Sequence, residues 1–230
     1  MGYEYNKDDP LVFNNEMGRY RTERQLKFIK NFLHVEGLRI LDIGGGNGRL
    51  AIPLASLDHK VTIIDISKEA IDLLKERSQP NIEWVHGDIL RFDYLNFFDV
   101  AIAIDSIKYI KSVSLARLFA KINTLLAQDG LFVIAEINKN SWRNHLRVLL
   151  RRRVDLQYNI ESAEGYRSSL ESAGFEIEKM EGFFWMPFVY NSDSPFVRAF
   201  KQIEDGLHLK AWISQSPRLL IAARKTKEMK

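Results

Sequence analysis

The chain has 230 residues, of which 46% are hydrophobic, and a formal net charge of +3. This length and apolar content suffice for the core of one α/β domain over residues 1–230, and the small charge does not by itself indicate a polyanionic partner. Cysteine is absent, which excludes disulfides, thiolate zinc sites and a cysteine nucleophile. No apolar run has the length of a membrane span, and the N-terminal residues carry no export or lipidation signal, so we expect a cytoplasmic protein.

The first half of the chain predicts alternating helices and strands. Leu26, Ile29 and Leu33 form an apolar stripe, which predicts a helix over residues 16–33. Ser67 predicts the N-cap of a further helix that reaches about Glu76. Buried strands are predicted by the apolar runs at 39–43, 61–65, 82–85 and 100–104. Continuous apolar strands separated by helices indicate a parallel sheet that helices cover on both faces.

The second half continues this alternation and then departs from it. A helix is predicted by the spacing of Leu115, Leu118, Phe119, Ile122 and Leu126, and an Asp129-Gly130 turn separates it from a strand over Leu131–Ile137. Two later strands, at 175–178 and 218–223, have no convincing crossover helix packed directly between them, which predicts an antiparallel last strand. The segments 139–161 and 183–216 lie outside the regular pattern. Since insertions after the later strands of such a sheet lie above its ligand-binding edge, we expect them to form a substrate cap.

The most informative motif is the run L-D-I-G-G-G-N-G from Leu41 to Gly48. It is a buried strand that enters a glycine turn, where the absence of side chains lets the backbone lie against a ligand. The helix expected after the turn offers N–H groups and a positive dipole end. Asp65 ends the next strand, where an acid can accept hydrogen bonds from both hydroxyls of a ribose. The pattern therefore predicts a site for a nucleoside cofactor.

Two kinds of cofactor fit a glycine turn of this type. Residues 46–51, G-N-G-R-L-A, match the looser form of the dinucleotide fingerprint, so a NAD-dependent oxidoreductase or a noncatalytic nucleotide-binding module is one alternative. Asp42 argues against it, because a carboxylate beside the turn repels a pyrophosphate. The same carboxylate favours a ligand that carries a cationic amine.

Several segments together resemble the class I S-adenosylmethionine-dependent methyltransferases. The run from Asp42 to Gly48 is similar to the D/E-x-G-x-G-x-G loop of that family, and Asp65 stands where the family keeps its ribose-binding acid. The further similar segments, in the family's order, are Gly87-Asp88-Ile89, Asp99 to Ile107, Ser172 to Phe175 and Arg218 to Arg224. The resemblance implies a Rossmann-like, doubly wound sheet of seven mostly parallel strands with an antiparallel last strand. It also implies S-adenosyl-L-methionine as the cofactor.

The resemblance assigns cofactor contacts to particular residues. Gly44, Gly46 and Gly48 would contour the methionine part of the cofactor. Asp65, with Ile66 beside it, would bind the ribose, and Asp88 with Ile89 would meet the adenine. Asp42 and Asp105 would help to hold the ammonium group.

The two irregular segments supply the residues expected to bind the acceptor. On a predicted helix over 142–153, Arg143, Arg147 and Arg151 recur at four-residue spacing, either as a solvated basic face or as a contact for an anionic substrate, a nucleic acid or a lipid surface. The segment 183–190, F-F-W-M-P-F-V-Y, is too apolar for an ordinary exposed loop. We expect Trp185 and Tyr190 to line the acceptor pocket, with Arg143 and Arg147 contributing charge.

The sequence predicts a methyltransferase that acts on a small or medium-sized metabolite, with an anionic metabolite as one option. Methyl transfer from a sulfonium requires alignment of the reacting atoms and exclusion of water, and no mandatory catalytic side chain follows from it. Tyr109 and His145 are candidates for a general base. No spacing among the histidines predicts a metal site, and the set Asp105, Glu136 and Asn138 is too loose a pattern to assign one. The same reaction on RNA, or on a lipid or quinone through helix 142–153, is the alternative within this class.

Overall fold

The computed structural model describes residues 15–76, 80–149, 158–189 and 192–226, except for the side chains of residues 147 and 148. Its strands form one seven-stranded sheet in the order β3-β2-β1-β4-β5-β7-β6. Their bounds are β1 (Arg39–Ile43), β2 (Lys60–Asp65), β3 (Ile82–His86), β4 (Phe98–Ile104), β5 (Leu126–Ile137), β6 (Phe175–Phe183) and β7 (Arg218–Lys225). Strands β1 to β5 pair in parallel, and β7 runs antiparallel to both of its neighbours. The predicted fold class is confirmed.

Helices cover both faces of the sheet, as the continuous apolar strands predict. They are α1 (Glu16–Lys30), α2 (Ala51–Ala55), α3 (Lys68–Lys75), α4 (Leu115–Leu125), α5 (Trp142–Leu149), α6 (Ala163–Ser172) and α7 (Phe196–Gly206). One hydrophobic cluster joins the sheet to α1, α2, α3 and α7, and a second joins it to α4 and α6. Ser67 caps α3 by accepting a hydrogen bond from the Ala70 N–H, which confirms the predicted start of that helix.

Several element boundaries differ from the sequence prediction, and strand β6, predicted over 175–178, extends to Phe183. Helix α1 ends at Lys30, three residues before the predicted end. Strand β5 begins at Leu126 rather than Leu131, so the predicted Asp129-Gly130 turn interrupts a strand instead of preceding one. Leu126 pairs with Phe98 before the turn and Leu131 pairs with Val100 after it. Pairing with β4 on both sides therefore keeps the turn inside the strand, a tertiary effect that local turn chemistry does not reveal.

The two segments predicted as a cap lie after β5 and β6. The first contains α5, and the second contains α7 with short 3-10 turns at Leu209–Ala211 and Ile213–Gln215. Asn138, fully buried at the end of β5, ties the second segment to the sheet because its side-chain amide donates to the carbonyls of Ile213, Ser214 and Ser216 at 3.1, 3.0 and 2.9 Å. Within the described ranges, no helix is long and apolar enough to cross a membrane.

Candidate cofactor and acceptor site

The glycine turn after β1 adopts a backbone that only glycine takes up easily. Gly44, Gly46 and Gly48 have φ values of +70°, +54° and +78°. A Cβ atom on Gly44 would lie 2.5 Å from the Ser106 Cβ, and one on Gly48 would lie 2.5 Å from the Leu74 Cδ1. The turn is therefore held against the loop after β4 on one side and against α3 on the other. Helix α2, which follows, has only five residues, so its dipole contributes less to ligand binding than the sequence suggested.

Asp65, at the carboxyl end of β2, organises the neighbouring backbone. Its carboxylate accepts hydrogen bonds from the Gly46 N–H and the Ser67 N–H, both at 2.9 Å. A carboxylate has about four acceptor positions, so a ribose can still donate to it. Ile66, the next residue, exposes 67% of its surface beside this carboxylate. The geometry fits a nucleoside at the end of β2.

The loop after β3 contains the predicted adenine contacts. Asp88 caps a 3-10 turn over Ile89–Arg91 by accepting a hydrogen bond from the Leu90 N–H at 2.9 Å. The Ile89 side chain is buried in the hydrophobic cluster on the α4 and α6 face, so only its backbone faces the loop surface. The His86 imidazole lies 3.1 Å from the Ile66 carbonyl and joins this loop to the one after β2.

Asp42 is a buried acid immediately before the glycine turn. Burial raises the pKa of its carboxyl to about 7, with the charge of Arg49 opposing this rise and the charge of Asp65 adding to it. Arg49 is itself oriented by α1, since its guanidinium donates to the Thr22 hydroxyl at 3.0 Å and to the Gln25 side-chain carbonyl at 2.7 Å. A cationic ligand group beside Asp42 would stabilise the ionised carboxylate.

Asp105 meets three cations at the carboxyl end of β4. Its Oδ2 accepts from the Arg21 guanidinium at 2.6 Å, and its Oδ1 accepts from the Lys108 ammonium at 3.1 Å and pairs with Arg218. The residue itself has a left-handed backbone, with φ of +64°. An ammonium group of a ligand would be repelled by these cations, so the geometry gives no support to the role predicted for Asp105 in holding one.

Sequence reasoning missed the cations of this cluster. One face of α1 is buried, and it carries Met17, Arg21, Gln25 and Phe28. The polar side chains of Arg21 and Gln25 thus lie within an otherwise apolar stripe at helical spacing. That interruption is the one sequence signal that could have identified Arg21. Arg218 precedes the apolar run of β7, and nothing local shows that it meets Asp105 across the sheet edge.

The two segments predicted as a cap contain Arg143 and Trp185 from the predicted acceptor set. The Arg143 guanidinium lies 4.6 Å from the ring centre of Phe184 and donates to the Phe188 carbonyl at 3.2 Å. Arg143 therefore joins α5 to the segment after β6. The backbone N–H of Trp185 donates to the Glu204 carboxylate at 3.3 Å, and the Trp185 ring stands edge-on to that of Trp212, with centroids 6.4 Å apart.

The remaining predicted residues are more scattered. Tyr109 is partly exposed beside Tyr158, and His145 is exposed on α5. Arg147 belongs to α5, but its side chain lies outside the described structure, as do Tyr190 and Arg151. In the part of the chain that the structure describes, no group of three or more His, Asp or Glu side chains could hold a metal ion.

Comparison with known proteins yields a family match over residues 40–130, to a model described as "Methyltransferase domain". The chain is 27% identical over 139 residues to a ubiquinone biosynthesis O-methyltransferase of Rickettsia typhi, a match that covers 59% of this chain and 56% of that protein. The chain thus spans about half the length of this curated relative. It is 25% identical over 177 residues to a carboxy-S-adenosyl-L-methionine synthase of Nautilia profundicola, covering 71% and 72% of the two chains.

A solved structure shares the fold. The cyclase SpnF superposes with a TM-score of 0.69 at 21% identity, covering 91% of this chain and 82% of that one. At this identity the likeness shows the fold alone. The family match covers the glycine turn, Asp65 and the loops after β3 and β4, which are the segments that form the candidate site. Residues 40–130 thus match a methyltransferase domain, and the comparisons support the class I S-adenosylmethionine-dependent methyltransferase family that the motifs resemble.

Proposed function

We propose that this protein is an S-adenosylmethionine-dependent methyltransferase that acts on a small or medium-sized metabolite. The observation that carries the proposal is the glycine turn with three positive φ values, placed between the acids Asp42 and Asp65. We infer that the nucleoside of the cofactor binds against Asp65 and Ile66 and that its amino group binds beside Asp42. Members of the family that bind S-adenosylmethionine obtain a reactive methyl group from its sulfonium.

The residues of this chain would then position the reactants and exclude water. The Asp65 carboxylate would bind the nucleoside of the cofactor while it accepts a hydrogen bond from the Gly46 N–H. The same side chain would thus position both the ligand and the glycine turn. Phe184 and Met186 are buried where the segment after β6 packs on the sheet. An apolar wall at this place favours a displacement in which competing water must be absent. Among the described residues, the buried indole N–H groups of Trp142 and Trp185 have no hydrogen-bond acceptor, so they are suited to orienting a polar group of the methyl acceptor.

The alternatives have less support from the described residues. Arg143 turns toward Phe184 and the Phe188 carbonyl, so it joins parts of the cap rather than presenting a basic face to RNA or lipid. The buried Asp42 beside the turn disfavours the pyrophosphate of a nicotinamide dinucleotide. A cytoplasmic location stays a prediction.

Calorimetry tests the proposal directly. We expect S-adenosylhomocysteine to bind the full chain and NAD not to bind. Incubation with S-adenosylmethionine and fractions of a metabolite extract should then give S-adenosylhomocysteine in particular fractions. Binding of NAD without any response to S-adenosylhomocysteine would overturn the proposal.

A further inference from the structure

We propose that the outward face of α7 binds the same face of a second copy of this chain, so that the protein forms a symmetric dimer. This α7 face consists of Phe196, Ala199, Ile203, Gly206 and Leu207. It belongs to the second predicted cap segment and lies outside the cofactor site, so the inference does not depend on the proposed function.

The α7 face is apolar and exposed. Its large side chains, Phe196, Ile203 and Leu207, are 66%, 49% and 64% exposed, and Ala199 and Gly206 are exposed between them. Steps of three or four residues place all five on one side of the helix. Exposed apolar patches of this kind mark interaction sites.

The charged residues of α7 all bond to α1 on the other side of the helix. The pairs are Arg198 with Glu16, Lys201 with Glu23, Glu204 with Tyr20 and Asp205 with Arg24. Two of the four charges are positive and two are negative, so the helix has no net charge to attract anionic headgroups. A helix that binds a lipid surface is instead rich in Lys and Arg on its polar side, so a protein surface fits the α7 face better.

Gly206 is a residue that the fold of one chain does not explain. A Cβ atom at this position would meet no other atom within 4 Å. The residue with a left-handed backbone after the helix is His208, with φ of +52°, so glycine is not needed for that turn. Because glycine destabilises a helix relative to alanine, its presence here favours the close approach of another surface.

The α7 face matches itself when two copies pack antiparallel about a two-fold axis. With the axis level with Lys201, Phe196 lies opposite Gly206 of the partner subunit, and Ile203 lies opposite Ala199 of the partner subunit. Each large side chain thus meets a small residue, which allows the two helices to approach closely. Such self-matching is what an isologous dimer interface requires.

Charge selects the antiparallel orientation. The positive residues Arg198 and Lys201 lie in the first half of α7, and the negative residues Glu204 and Asp205 lie in the second half. Antiparallel copies bring opposite charges beside each other, whereas parallel copies would bring like charges together. The side chains of Arg198 and Asp205 are 78% and 47% exposed, so they can contribute at the rim of the interface while they pair with α1.

Residues beside α7 supply further interface area. A stable dimer buries about 800 Å² on each partner, more than the three large side chains of the α7 face provide. The Phe188 ring packs on Phe200 of α7, with centroids 5.2 Å apart, and joins the segment after β6 to this helix. Of the 14 large apolar side chains that are exposed in the described ranges, seven lie in the two predicted cap segments: Leu146, Leu149, Val189, Phe196, Ile203, Leu207 and Trp212. The predicted cap therefore carries the apolar surface that such a dimer needs.

Sedimentation-velocity ultracentrifugation of the full chain tests the inference. At about 1 to 100 µM protein, a range in which interfaces of this size associate, we expect the unmodified chain to form a dimer. Ile203→Glu should be a monomer, because the dimer would bury a carboxylate in an apolar contact. Leu95→Glu is the control and should stay a dimer, since Leu95 is a 71% exposed apolar residue in the loop before β4.

Gly206→Leu tests the close approach of the two helices separately. The space around Gly206 is open in the single chain, so this variant should keep the circular dichroism spectrum of the unmodified chain. Its added side chain should weaken the dimer about tenfold or more, because it fills the recess for Phe196 of the partner subunit. If Ile203→Glu does not fold, this variant decides the question.

Two results overturn the inference. One is an unmodified chain that stays monomeric over the whole concentration range. If that monomer sediments with phosphatidylglycerol vesicles and Ile203→Glu does not, the α7 face binds a lipid surface instead. The other is a dimer that persists unweakened in the folded α7 variants, which would place the interface elsewhere.

Discussion

Asp65 illustrates how one side chain serves both the fold and the site. Its two oxygens hold N–H groups from the glycine turn and from the N-cap residue of α3, so the acid links two loops before any ligand is bound. A ligand hydroxyl that binds the same carboxylate therefore meets an acceptor whose orientation is already fixed. Such preorganisation lowers the entropy lost on binding.

Replacing Asp65 should weaken the cofactor site strongly. We expect Asp65→Ala to reduce the binding free energy of S-adenosylhomocysteine by about 1.5 to 3 kcal/mol, the scale of hydrogen bonds to a charged group. Titration calorimetry measures the change. Asp72→Ala is a suitable control because Asp72 is an exposed acid on α3 that pairs with Lys68. Equal affinities in the two variants would remove Asp65 from the site.

Asp42 should make the stability of the ligand-free protein depend on pH. Its pKa rises from an ordinary value near 4 in the unfolded chain to about 7 in the folded protein, so the folded state binds the proton more tightly. Stability contributed by this residue is present at low pH and is lost, at up to roughly 1.4 kcal/mol per pH unit, as the pH rises through this window. Urea denaturation at pH 5, 6, 7 and 8 should show the slope in the unmodified chain and a smaller one in Asp42→Asn.

Local chemistry explains which site residues the sequence could reveal. The three glycines and Asp65 lie within 22 residues of one another, and their roles follow from backbone freedom and strand ends. Arg21 and Asp105 are 84 residues apart, and their contact exists only after α1 docks on the sheet. A charged side chain at a helix position gives no sign of a distant partner, so this part of the site required the structure.

At the scale of elements, α5 is held to the rest of the cap through Arg143. The guanidinium lies over the Phe184 ring and donates to the Phe188 carbonyl. One arginine of the predicted basic helix therefore packs inside the protein and connects two segments. The spacing of the arginines does not reveal this, because an exposed arginine and one packed on an aromatic ring give the same sequence pattern.

Removal of Arg143 should loosen the cap. We expect Arg143→Met to lower the free energy of unfolding by about 1 to 3 kcal/mol, from the lost ring contact and the lost hydrogen bond to a backbone carbonyl. Limited proteolysis should cut within 184–189 faster than in the unmodified chain. His145→Ala, an exposed change on the same helix, should leave both measurements nearly unaltered. Unchanged proteolysis in Arg143→Met would contradict the role of this arginine.

Trp185 is expected to act on the acceptor rather than on the cofactor. We predict that Trp185→Ala lowers turnover or acceptor affinity while S-adenosylhomocysteine affinity stays within about threefold, a change of under ~1 kcal/mol. The reason is that its ring contacts Trp212 in the second predicted cap segment, and that its indole N–H has no acceptor among the residues that the structure describes. Full activity in a folded variant would reject this assignment, and loss of folding would instead indicate a packing role.

Across the whole molecule, α1 is connected to the second cap segment through a buried pair. The Tyr20 hydroxyl donates to Glu204 at 2.7 Å and accepts from the backbone N–H of Phe184, while Glu204 also accepts from the backbone N–H of Trp185. Burial raises the pKa of Glu204, and the Tyr20 hydrogen bond opposes this rise. One hydroxyl thus supports both the helix before the sheet and the segment after β6.

Loss of that hydroxyl should destabilise the molecule more at high pH. Tyr20→Phe leaves the Phe184 N–H and Glu204 with one partner fewer, which we expect to cost about 1 to 3 kcal/mol of unfolding free energy. The pKa of Glu204 should rise further, so the penalty grows with pH as the carboxylate must ionise without that donor. Denaturation at pH 5 and pH 8 measures it, with Tyr94→Phe as an exposed control. A penalty that shrinks toward pH 8 would contradict this account.

The Asp105 cluster combines residues from the beginning, the middle and the end of the chain. Arg21 leaves the ribosome early, Asp105 follows, and Arg218 is made only after all other strands of the sheet. Until β7 has inserted between β5 and β6, Asp105 lacks its contact with Arg218. The hydrogen bond from the Asn138 side chain to the Ser216 carbonyl, which ties the second predicted cap segment to the sheet, is also absent. Because contacts between residues distant in sequence form slowly and late, the glycine turn can fold on a nascent chain well before the contacts of Arg218 form. A ribosome-bound chain stalled before β7 emerges would therefore carry a structured glycine turn, while the Asp105 cluster and the attachment of the segment before β7 are still incomplete.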